Sequence, residues 1–556
     1  MSAALSCGGE HLVPKAALLS EAEGPVTPPL LEITIGSALT DAAERFGSRP
    51  ALIVPSRSVR WTWAELDARA DALATGLLRL GLRPGDRLAI WAPNCWEWTL
   101  TQFASARIGV ILVNINPAYC TAEVEDALNQ VGCRAIVCAP RHKGSDYIAM
   151  LRELGSAKLP TVGTWISLGG ESFEGFLSFA ALLERTDQAA ILAYSSGLDR
   201  HDPINIQFTS GTTGAPKGAT LTHRNILNNG YFVGAQIGLG LDDRVCIPVP
   251  LYHCFGMVMG NLACLTHGAA IVYPGEAFDP ASVLAAVEAE RCTALYGVPT
   301  MFIAMLDEPD FDRFDLRSLR TGIMAGSPCP EAVMRDVVER MHMAEITIAY
   351  GMTETSPVST QTNRDDPFSE RVTTVGRVQP HLAVKIVGAD SQTLPRGKIG
   401  EICTRGYAVM RGYWGDPQRT AQVIDRDGWM RTGDLGSMDG PGYLRITGRI
   451  KDMLIRGGEN IYPREIEEYL MRHPAIADVQ VVGVPDDKYG EEVCACIRLK
   501  PGHETVAEEL RRFCRGQIAH YKIPRHIIFL EEFPLTVTGK VQKFALREQA
   551  TARLGG

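Results

Sequence analysis

The chain lacks the sequence signatures of several common protein classes. It has 14 cysteines in 556 residues, but no Cys-x-x-Cys pair and no His-Glu-x-x-His segment. Zinc sites and disulfide frameworks of the usual spacing are therefore excluded, and we expect the cysteines to be small buried residues in a reducing compartment. No run of about 18 or more apolar residues occurs, which excludes a membrane-spanning helix. The absence of a Gly-x-Ser-x-Gly segment excludes the nucleophile elbow of an α/β-hydrolase.

Basic residues are also fewer than acidic residues. Lys and Arg number 55 against 64 Asp and Glu, so the formal net charge is −9. Nucleic acids and anionic membranes attract basic surfaces, so neither is expected as a partner. An anionic substrate would have to be held by a few well-placed cations.

The N-terminal segment does not have the pattern of a targeting signal. Residues 1–30 include Glu10, Glu21 and Glu23 and contain no apolar core segment, unlike the usual secretory and organellar signals. The C-terminal residues 553–556 read Arg-Leu-Gly-Gly and are not a peroxisomal address. We therefore expect a cytoplasmic location, with residues 1–30 forming a flexible tail.

Helical and strand patterns alternate over most of the chain. Thr62 and Glu65 form a capping box before a helix that keeps its apolar residues on one face and ends at Gly81. Apolar runs at residues 88–91 and 135–138 predict strands between such helices. Strands that alternate with helices of this length indicate parallel sheets flanked by helices. The fold class is therefore α/β, with a large N-terminal domain over residues 31–448.

The pattern changes after Gly448, where a smaller α+β unit is expected over residues 452–556. Its predicted elements are a helix at 463–470, strands at 479–482 and 493–497, a helix at 505–518 and a strand at 527–530. A unit of this size forms a small domain of its own. The short charged segment 449–451 can act as a hinge, so we expect the small domain to be mobile.

Residues 209–218 carry the most informative local pattern. They read Thr-Ser-Gly-Thr-Thr-Gly-Ala-Pro-Lys-Gly. Glycines allow tight turns that point backbone N–H groups at an anion, the hydroxyls add donors, and Lys217 adds a positive charge. Lys217 follows Gly214 by three residues and precedes Gly218 instead of Ser or Thr, so this is not the Walker pattern. The segment predicts a nucleotide phosphate loop, and a surface turn is the alternative.

Four further residues have the chemistry that a nucleotide site needs. Glu354 follows a strand-like run and suits a Mg²⁺ ion that bridges phosphates. Asp434 follows a tight turn and could accept hydrogen bonds from both ribose hydroxyls. Arg449 and Lys540 supply positive charge in charged and glycine-containing segments. Taken singly, the alternatives are a turn cap for Asp434, a surface ion pair for Arg449 and a solvated side chain for Lys540.

Together, in this order and spacing, these clusters resemble the adenylate-forming superfamily of acyl-CoA synthetases, peptide-synthetase adenylation domains and luciferases. The resemblance covers residues 35 to 545 or so. Residues 113–119, 250–257 and 325–330 are most similar to the medium-chain and long-chain fatty acyl-CoA ligase branch. The resemblance implies a ligase that uses ATP, Mg²⁺ and CoA to convert a small carboxylic acid into an acyl-adenylate and then into an acyl-CoA.

The resemblance also implies a role for each matching residue. The implied ATP-binding residues are Thr209, Ser210, Gly211, Thr212, Thr213, Gly214, Lys217, Gly326, Ser327, Pro328, Tyr350, Gly351, Met352, Thr353, Asp434, Arg449 and Lys540. The implied catalytic residues are Lys540, Glu354, Thr209 and His253, with Glu354 and Thr213 as metal ligands. The implied acyl-pocket residues are Tyr231, Phe232, His253, Met257, Gly297, Val298, Pro299, Met324 and Ala325. Gly457, Gly458 and Glu459 would line the CoA path, and Lys451 would be the hinge residue.

Several alternatives stay open at this point. The mostly apolar pocket fits a medium-chain fatty acid, but an aromatic, alicyclic or thioether acid would also fit. Ordinary core packing is the alternative for Met257 and Met324. A stand-alone enzyme that loads a carrier protein, a luciferase-like oxygenase and a non-catalytic nucleotide-binding protein are the other functions, and a homodimer is an open possibility. Cys254 beside His253 does not predict a nucleophile pair, because neighbours on a strand point to opposite faces.

Overall fold

Short apolar strands build two large sheets. The computed structural model describes residues 18–209, 216–535 and 541–555. The eight-stranded sheet, called sheet A below, has the strand order Leu177–Ser178, Thr164–Ser167, Ala135–Cys138, Arg87–Trp91, Ile111–Asn114, Pro203–Thr209, Lys217–Thr222 and Gly412–Tyr413. Neighbours up to Pro203–Thr209 pair in parallel, and the strands after it pair antiparallel.

The nine-stranded sheet, called sheet B, is also parallel at its centre. Its strand order is Arg377–Val378, Val358–Gln361, Glu345–Gly351, Thr321–Ala325, Ala294–Gly297, Arg244–Cys246, Ala270–Val272, Pro50–Val54 and Val59–Thr62. The strands from Glu345–Gly351 to Pro50–Val54 pair in parallel, and the edge strands pair antiparallel. The predicted α/β class is confirmed, because parallel neighbours need the helical connections that the chain supplies.

Helices connect these strands. In the large domain they are Ile35–Phe46, Trp63–Arg79, Trp96–Arg107, Thr121–Val131, Tyr147–Lys158, Gln188–Ser195, His223–Gln236, Ala263–His267, Pro280–Glu290, Pro299–Leu306, Glu331–Arg340, Phe368–Thr373 and Pro417–Val423. The capping box is confirmed: Thr62 Oγ1 accepts the Glu65 N–H at 3.2 Å, and the Glu65 carboxylate accepts the Thr62 N–H at 2.9 Å. Residues 255–262 form a π-helix that leads into Ala263–His267. Among the described residues, no helix is both long and apolar enough to cross a bilayer.

A third sheet, called sheet C, was not predicted. It is antiparallel throughout and has the order Glu21–Glu23, Leu382–Val387, Gly400–Gly406, Met430–Met438 and Leu444–Arg449. Residues 18–30 therefore differ from the flexible tail that we expected. Glu21–Glu23 adds an edge strand to the sheet, and Arg396 donates to the carbonyl oxygens of Leu19 and Glu21 at 2.7 and 2.8 Å. Backbone pairing, which side-chain composition does not reveal, fixes this segment.

The C-terminal unit has its own sheet and cores. Its strands are ordered Glu459–Ile461, Leu454–Arg456, Gly490–Leu499 and Ile476–Asp486, with His526–Phe529 beside Gly490–Leu499. Its helices are Pro463–Leu470, Ala507–Cys514 and Lys543–Gly555, of which the last was not predicted. Cys494 and Cys496 share a buried apolar cluster with Leu546, so they lie on one face of their strand. Most of the described cysteines are buried as expected, and Cys120 is an exposed exception.

Candidate functional site

The carboxylate of Glu354 is the centre of the candidate site. Glu354 lies in the turn Thr353–Thr355, just after the strand Glu345–Gly351 of sheet B, and only 5% of its surface is exposed. Its Oε1 accepts two hydrogen bonds, from the Thr209 hydroxyl at 3.1 Å and from the Tyr413 hydroxyl at 3.0 Å. Thr209 and Glu354 are 145 positions apart in the chain. Thr209 ends the strand that precedes the predicted phosphate loop, and Glu354 is the predicted metal ligand. The fold thus places the start of that loop in contact with the metal ligand.

The backbone around Glu354 is fixed by Gly351. A Cβ atom at Gly351 would lie 1.7 Å from the carbonyl oxygen of Pro357, so no other residue fits there without a backbone shift. The same carbonyl oxygen accepts the Met352 N–H at 2.9 Å and the Thr355 hydroxyl at 2.7 Å. Hydrogen bonds from residues before and after Glu354 therefore meet at one carbonyl oxygen and fix the turn.

Tyr350, Asp434 and Arg449 meet beside this turn. The Tyr350 hydroxyl donates to Asp434 Oδ2 at 2.9 Å, and Arg449 Nε lies 3.0 Å from Asp434 Oδ1. Burial would lower the pKa of Arg449, but the negative charges of Asp434 and Asp452 raise it above its usual range. Burial and the charge of Asp434 raise the pKa of Tyr350. The hydroxyl therefore stays a donor, and both oxygens of Asp434 already have partners.

The register of sheet B aligns the other predicted ATP and acyl residues. Ala325 pairs with Ala349, and Gly297 pairs with Met324. Residues 326–328 and 350–353 therefore lie at the carboxyl ends of adjacent parallel strands, where ligands of α/β proteins bind. Gly326 has a φ of +94°, and Ser327 and Pro328 are exposed. The structure thus brings these two segments together.

The two ends of the predicted phosphate loop are adjacent. Thr209 and Lys217 are register partners in the antiparallel pair Pro203–Thr209 and Lys217–Thr222. The Lys217 ammonium lies over the ring of Tyr413, 5.2 Å from its centroid. Ser210, Gly211, Thr212, Thr213, Gly214 and Lys540 lie outside the described residues.

A buried amide network holds the segment that carries His253. Asn114 Nδ2 donates to the Tyr252 carbonyl oxygen at 3.0 Å, and Gln207 Oε1 accepts the Cys254 N–H at 3.1 Å. Both amides also donate to the sulfur of Met257, at 3.3 and 3.2 Å. Our sequence reasoning missed these positions. The sequence signal is weak, because Asn114 ends an apolar strand and Gln207 only alternates with apolar residues along its strand.

The remaining predicted acyl residues are mostly buried apolar groups. Met324 is fully buried, Val298 and Ala325 are 4% and 6% exposed, and a Cβ atom at Gly297 would lie 2.9 Å from the Phe302 ring. His253 and Tyr231 are half-buried, and Pro299 begins the helix Pro299–Leu306. Val298 and Pro299 follow the strand Ala294–Gly297, and Met324 and Ala325 end the strand Thr321–Ala325, which is adjacent to the strand that precedes Glu354.

Cys254 has no character of a nucleophile. Burial raises the pKa of its thiol to about 12, and its side chain is 3% exposed. It precedes the π-helix Phe255–Leu262, so the strand geometry that we assumed for residues 253 and 254 is wrong. The conclusion that His253 and Cys254 are not a catalytic pair still follows, from the protonated and buried thiol.

The predicted CoA and hinge residues lie at the start of the C-terminal unit. Gly457 and Gly458 form the turn between Leu454–Arg456 and Glu459–Ile461, with φ values of +59° and +90°. The Gly457 N–H donates to the Tyr489 carbonyl oxygen at 2.9 Å. Glu459 is exposed. Lys451 is an exposed residue in the 3₁₀ turn Ile450–Asp452 between the two units.

Two sequence families match the chain. Residues 39–414 match the AMP-binding enzymes, and residues 465–540 match the AMP-binding enzyme C-terminal domain. The putative acyl-CoA synthetase YngI of Bacillus subtilis (strain 168) is 49% identical over 536 residues, which is 94% of this chain and 97% of that protein. The mitochondrial medium-chain acyl-CoA ligase ACSF2 of Danio rerio is 46% identical over 544 residues, covering 95% of this chain and 90% of that protein.

Solved structures of adenylate-forming enzymes share the fold. The anthranilate CoA ligase AuaEII in complex with anthranoyl-AMP matches with a TM-score of 0.85 at 26% identity, over 95% of this chain and 99% of that chain. ATP-bound MatB from Rhodopseudomonas palustris matches with a TM-score of 0.83 at 29% identity, over 94% and 99% of the two chains. Both proteins are similar to this chain along almost its whole length.

Proposed function

The chain belongs to the AMP-binding enzyme family, and we propose that it is an ATP-dependent ligase that couples a carboxylic acid to CoA. One observation carries the proposal: the Thr209 hydroxyl, at the entrance to the phosphate loop, donates to the buried carboxylate of Glu354. Tyr350, Asp434 and Arg449 form a group of contacts near the Glu354 turn and would supply partners for a nucleoside. The names of two relatives, an acyl-CoA synthetase and a medium-chain acyl-CoA ligase, support the same activity.

Two steps account for the reaction. An oxygen of the acid attacks the α-phosphorus of ATP and pyrophosphate leaves, which gives the acyl-adenylate. The sulfur of CoA then attacks the acyl carbonyl carbon, and AMP leaves. The first step brings two anions together, so its barrier falls mainly through positioning and through cations near the developing charge.

The chain's residues divide this work. Arg449 and Asp434 would orient the ribose, and the loop with Lys217 would hold the phosphates. Lys540 would bind the acid's carboxylate and the α-phosphate oxygens. His253, on the segment fixed by the amide network, would steady the acid at the mouth of its pocket.

Glu354 and its hydroxyl neighbours fit a magnesium ion. Mg²⁺ prefers oxygen ligands and is commonly held by one or two carboxylates together with substrate phosphates. Glu354 supplies a buried carboxylate beside the Thr209 hydroxyl, and Thr213 would add a second oxygen. When bound, the ion would neutralise phosphate charge during the first step.

We propose a medium-chain fatty acid as the substrate, because the pocket candidates are apolar and one relative is named for that class. An aromatic acid is the second candidate, since the fold also matches an anthranilate CoA ligase. The cytoplasmic location stays a prediction, since relatives of similar identity include a bacterial protein and vertebrate proteins named as mitochondrial. The homodimer also stays a prediction.

We also propose that residues 31–448 and 452–556 are two domains joined by a hinge at 449–451. Rotation about Lys451 would withdraw Lys540 after the first step and bring Gly457, Gly458 and Glu459 to the CoA path. Glycines at the turn leave room for a slim pantetheine arm. A Lys451→Pro variant should form acyl-adenylate normally but make little acyl-CoA.

The experiment measures pyrophosphate release with ATP and a panel of straight-chain, branched and aromatic acids, with and without CoA. We expect acid-dependent release and conversion of the best acid to its CoA ester. Lys540→Ala should slow the first step roughly a hundredfold or more and largely spare ester formation from supplied acyl-adenylate. Acid-independent release of phosphate, or transfer to a carrier protein but never to CoA, would overturn the proposal.

A further inference from the structure

Tyr413 contacts two charged residues of the candidate site at once. Its hydroxyl donates to Glu354 Oε1 at 3.0 Å, and its ring carries the Lys217 ammonium 5.2 Å from the centroid. Only 9% of Tyr413 is exposed. No part of the predicted phosphate loop, metal ligand or acyl pocket included this residue.

Strand pairing and a hydrogen bond to Thr420 fix the backbone of Tyr413. The strand Gly412–Tyr413 pairs with Lys217–Thr222 at the edge of sheet A, with Tyr413 opposite Ala219. The Tyr413 N–H donates to the Thr420 hydroxyl at 2.9 Å, and that hydroxyl donates to the Asp416 carbonyl oxygen at 2.7 Å. The backbone of Tyr413 is therefore held in place by contacts that do not involve the side chains of Lys217 and Glu354.

We propose that Tyr413 is a positioning residue that keeps Lys217 and Glu354 separate and available to the nucleotide. The two side chains have opposite charges and would neutralise each other in a direct ion pair. In the described part of the chain they form no such pair, and each contacts a different portion of Tyr413 instead. The π face attracts the ammonium, and the hydroxyl orients the carboxylate.

The two contacts can be separated by mutation. Tyr413→Phe removes the hydroxyl and keeps the ring, so Glu354 loses one of its two hydroxyl donors while Lys217 keeps its support. Tyr413→Leu removes both contacts. Tyr443→Phe is a matched control, because the buried Tyr443 hydroxyl donates to Asp366 at 2.7 Å and its ring lies under Arg377 at 4.8 Å.

The inference rests on the proposed nucleotide site, so the experiment measures ATP binding by calorimetry without any acid, with MgCl₂ and with EDTA. For Tyr413→Phe we expect an unchanged affinity in EDTA and a roughly tenfold higher Mg²⁺ concentration for half-maximal enhancement of binding. Tyr413→Leu should in addition lose about threefold in affinity in EDTA. Tyr443→Phe should match the wild type in both measurements.

The outcomes distinguish the two ideas. Wild-type binding with unchanged Mg²⁺ dependence in Tyr413→Phe would overturn the role of the hydroxyl. Equal losses of affinity in EDTA for Tyr413→Phe and Tyr413→Leu would overturn the role of the ring. A wild-type chain that binds no ATP would overturn the proposed function and this inference together.

Discussion

Asp434 and Arg449 face each other across an antiparallel strand pair, with Arg449 Nε 3.0 Å from Asp434 Oδ1. Tyr350 donates to the other carboxylate oxygen, so three residues from two sheets form one group. The hydrogen bond and the ion pair hold the three side chains in one arrangement. Preformed partners reduce the side-chain ordering that binding costs.

Asp434→Asn should weaken ATP binding. The variant keeps an oxygen acceptor for Tyr350 but removes the charge that pairs with Arg449. Hydrogen bonds to charged groups contribute about 1.5–3 kcal/mol, so we expect a roughly tenfold to hundredfold higher Kd for ATP by calorimetry. Asp439→Asn, in a turn of the same sheet, is the control and should bind ATP normally. Equal affinities for all three proteins would remove Asp434 from the nucleotide site.

Gln207→Leu should impair the use of the acid more than the binding of ATP. The change leaves the Cys254 N–H without its acceptor and removes a donor to Met257. A buried unsatisfied group costs about 1–3 kcal/mol, so the KM for the acid should rise roughly tenfold while the Kd for ATP stays within about twofold.

Gln379→Leu is the matched control for this prediction. Gln379 is a buried amide that donates to Gln361 at 2.7 Å, in the edge region of sheet B. Its loss should lower stability without changing the KM for the acid. If the two variants change that KM equally, the amide network has no special connection with the acid.

Gly351→Ala should disturb Glu354 through the backbone. The added Cβ would lie 1.7 Å from the Pro357 carbonyl oxygen, and relief of such a contact costs about 1–3 kcal/mol. We expect a lower melting temperature and a loss of the Mg²⁺-dependent part of ATP binding. Gly440→Ala is the control, because a Cβ there would meet nothing within 4 Å. A Gly351→Ala protein with wild-type melting and binding would contradict the fixed turn.

His223 should make folding sensitive to acid. It is fully buried, its Nδ1 accepts the Ile35 N–H at 3.2 Å, and burial lowers its pKa from 6.5 to about 3. The unfolded chain therefore takes up the proton first, so the contribution of His223 to stability is complete above pH 6.5 and declines as the pH falls towards 3.

The test compares the wild type with His223→Gln, which can accept the same N–H and does not titrate. Between pH 7 and 5.5 the wild type should lose about 1.3 kcal/mol more free energy of unfolding than the variant. Parallel pH profiles from urea unfolding would show that His223 has the same pKa in the folded and unfolded chains, which would contradict this prediction.

Local patterns in the sequence predicted much of the fold. The Thr62 capping box, the strand Ala135–Cys138 and the helix Pro463–Leu470 depend on spacing within a few residues, and all are present. The edge strand Glu21–Glu23 depends on backbone pairing with residues 383–385, more than 350 positions away in the chain. Such pairing leaves no periodic signal in either segment.

In the site, too, residues in local patterns could be singled out from the sequence, and residues that matter through distant contacts could not. Thr209, Glu354 and Asp434 could be singled out from the sequence because a nucleotide needs hydroxyls and carboxylates in glycine-rich turns. The fold brings Thr209 and Glu354 into contact, and their role at a nucleotide stays a prediction. Tyr413 and Gln207 could not be singled out, because their importance lies in what they contact across the sheets. A tyrosine in a short strand and a glutamine that alternates with apolar residues have no special chemistry until the fold supplies their neighbours.

The most direct test of the account is to incubate the protein with ATP, MgCl₂ and a medium-chain fatty acid in the absence of CoA, and to identify the products by mass spectrometry. We predict pyrophosphate and an enzyme-bound acyl-AMP, both strongly reduced in a Glu354→Gln variant. Formation of ADP and phosphate, or an acyl-AMP yield that Glu354→Gln leaves unchanged, would contradict it.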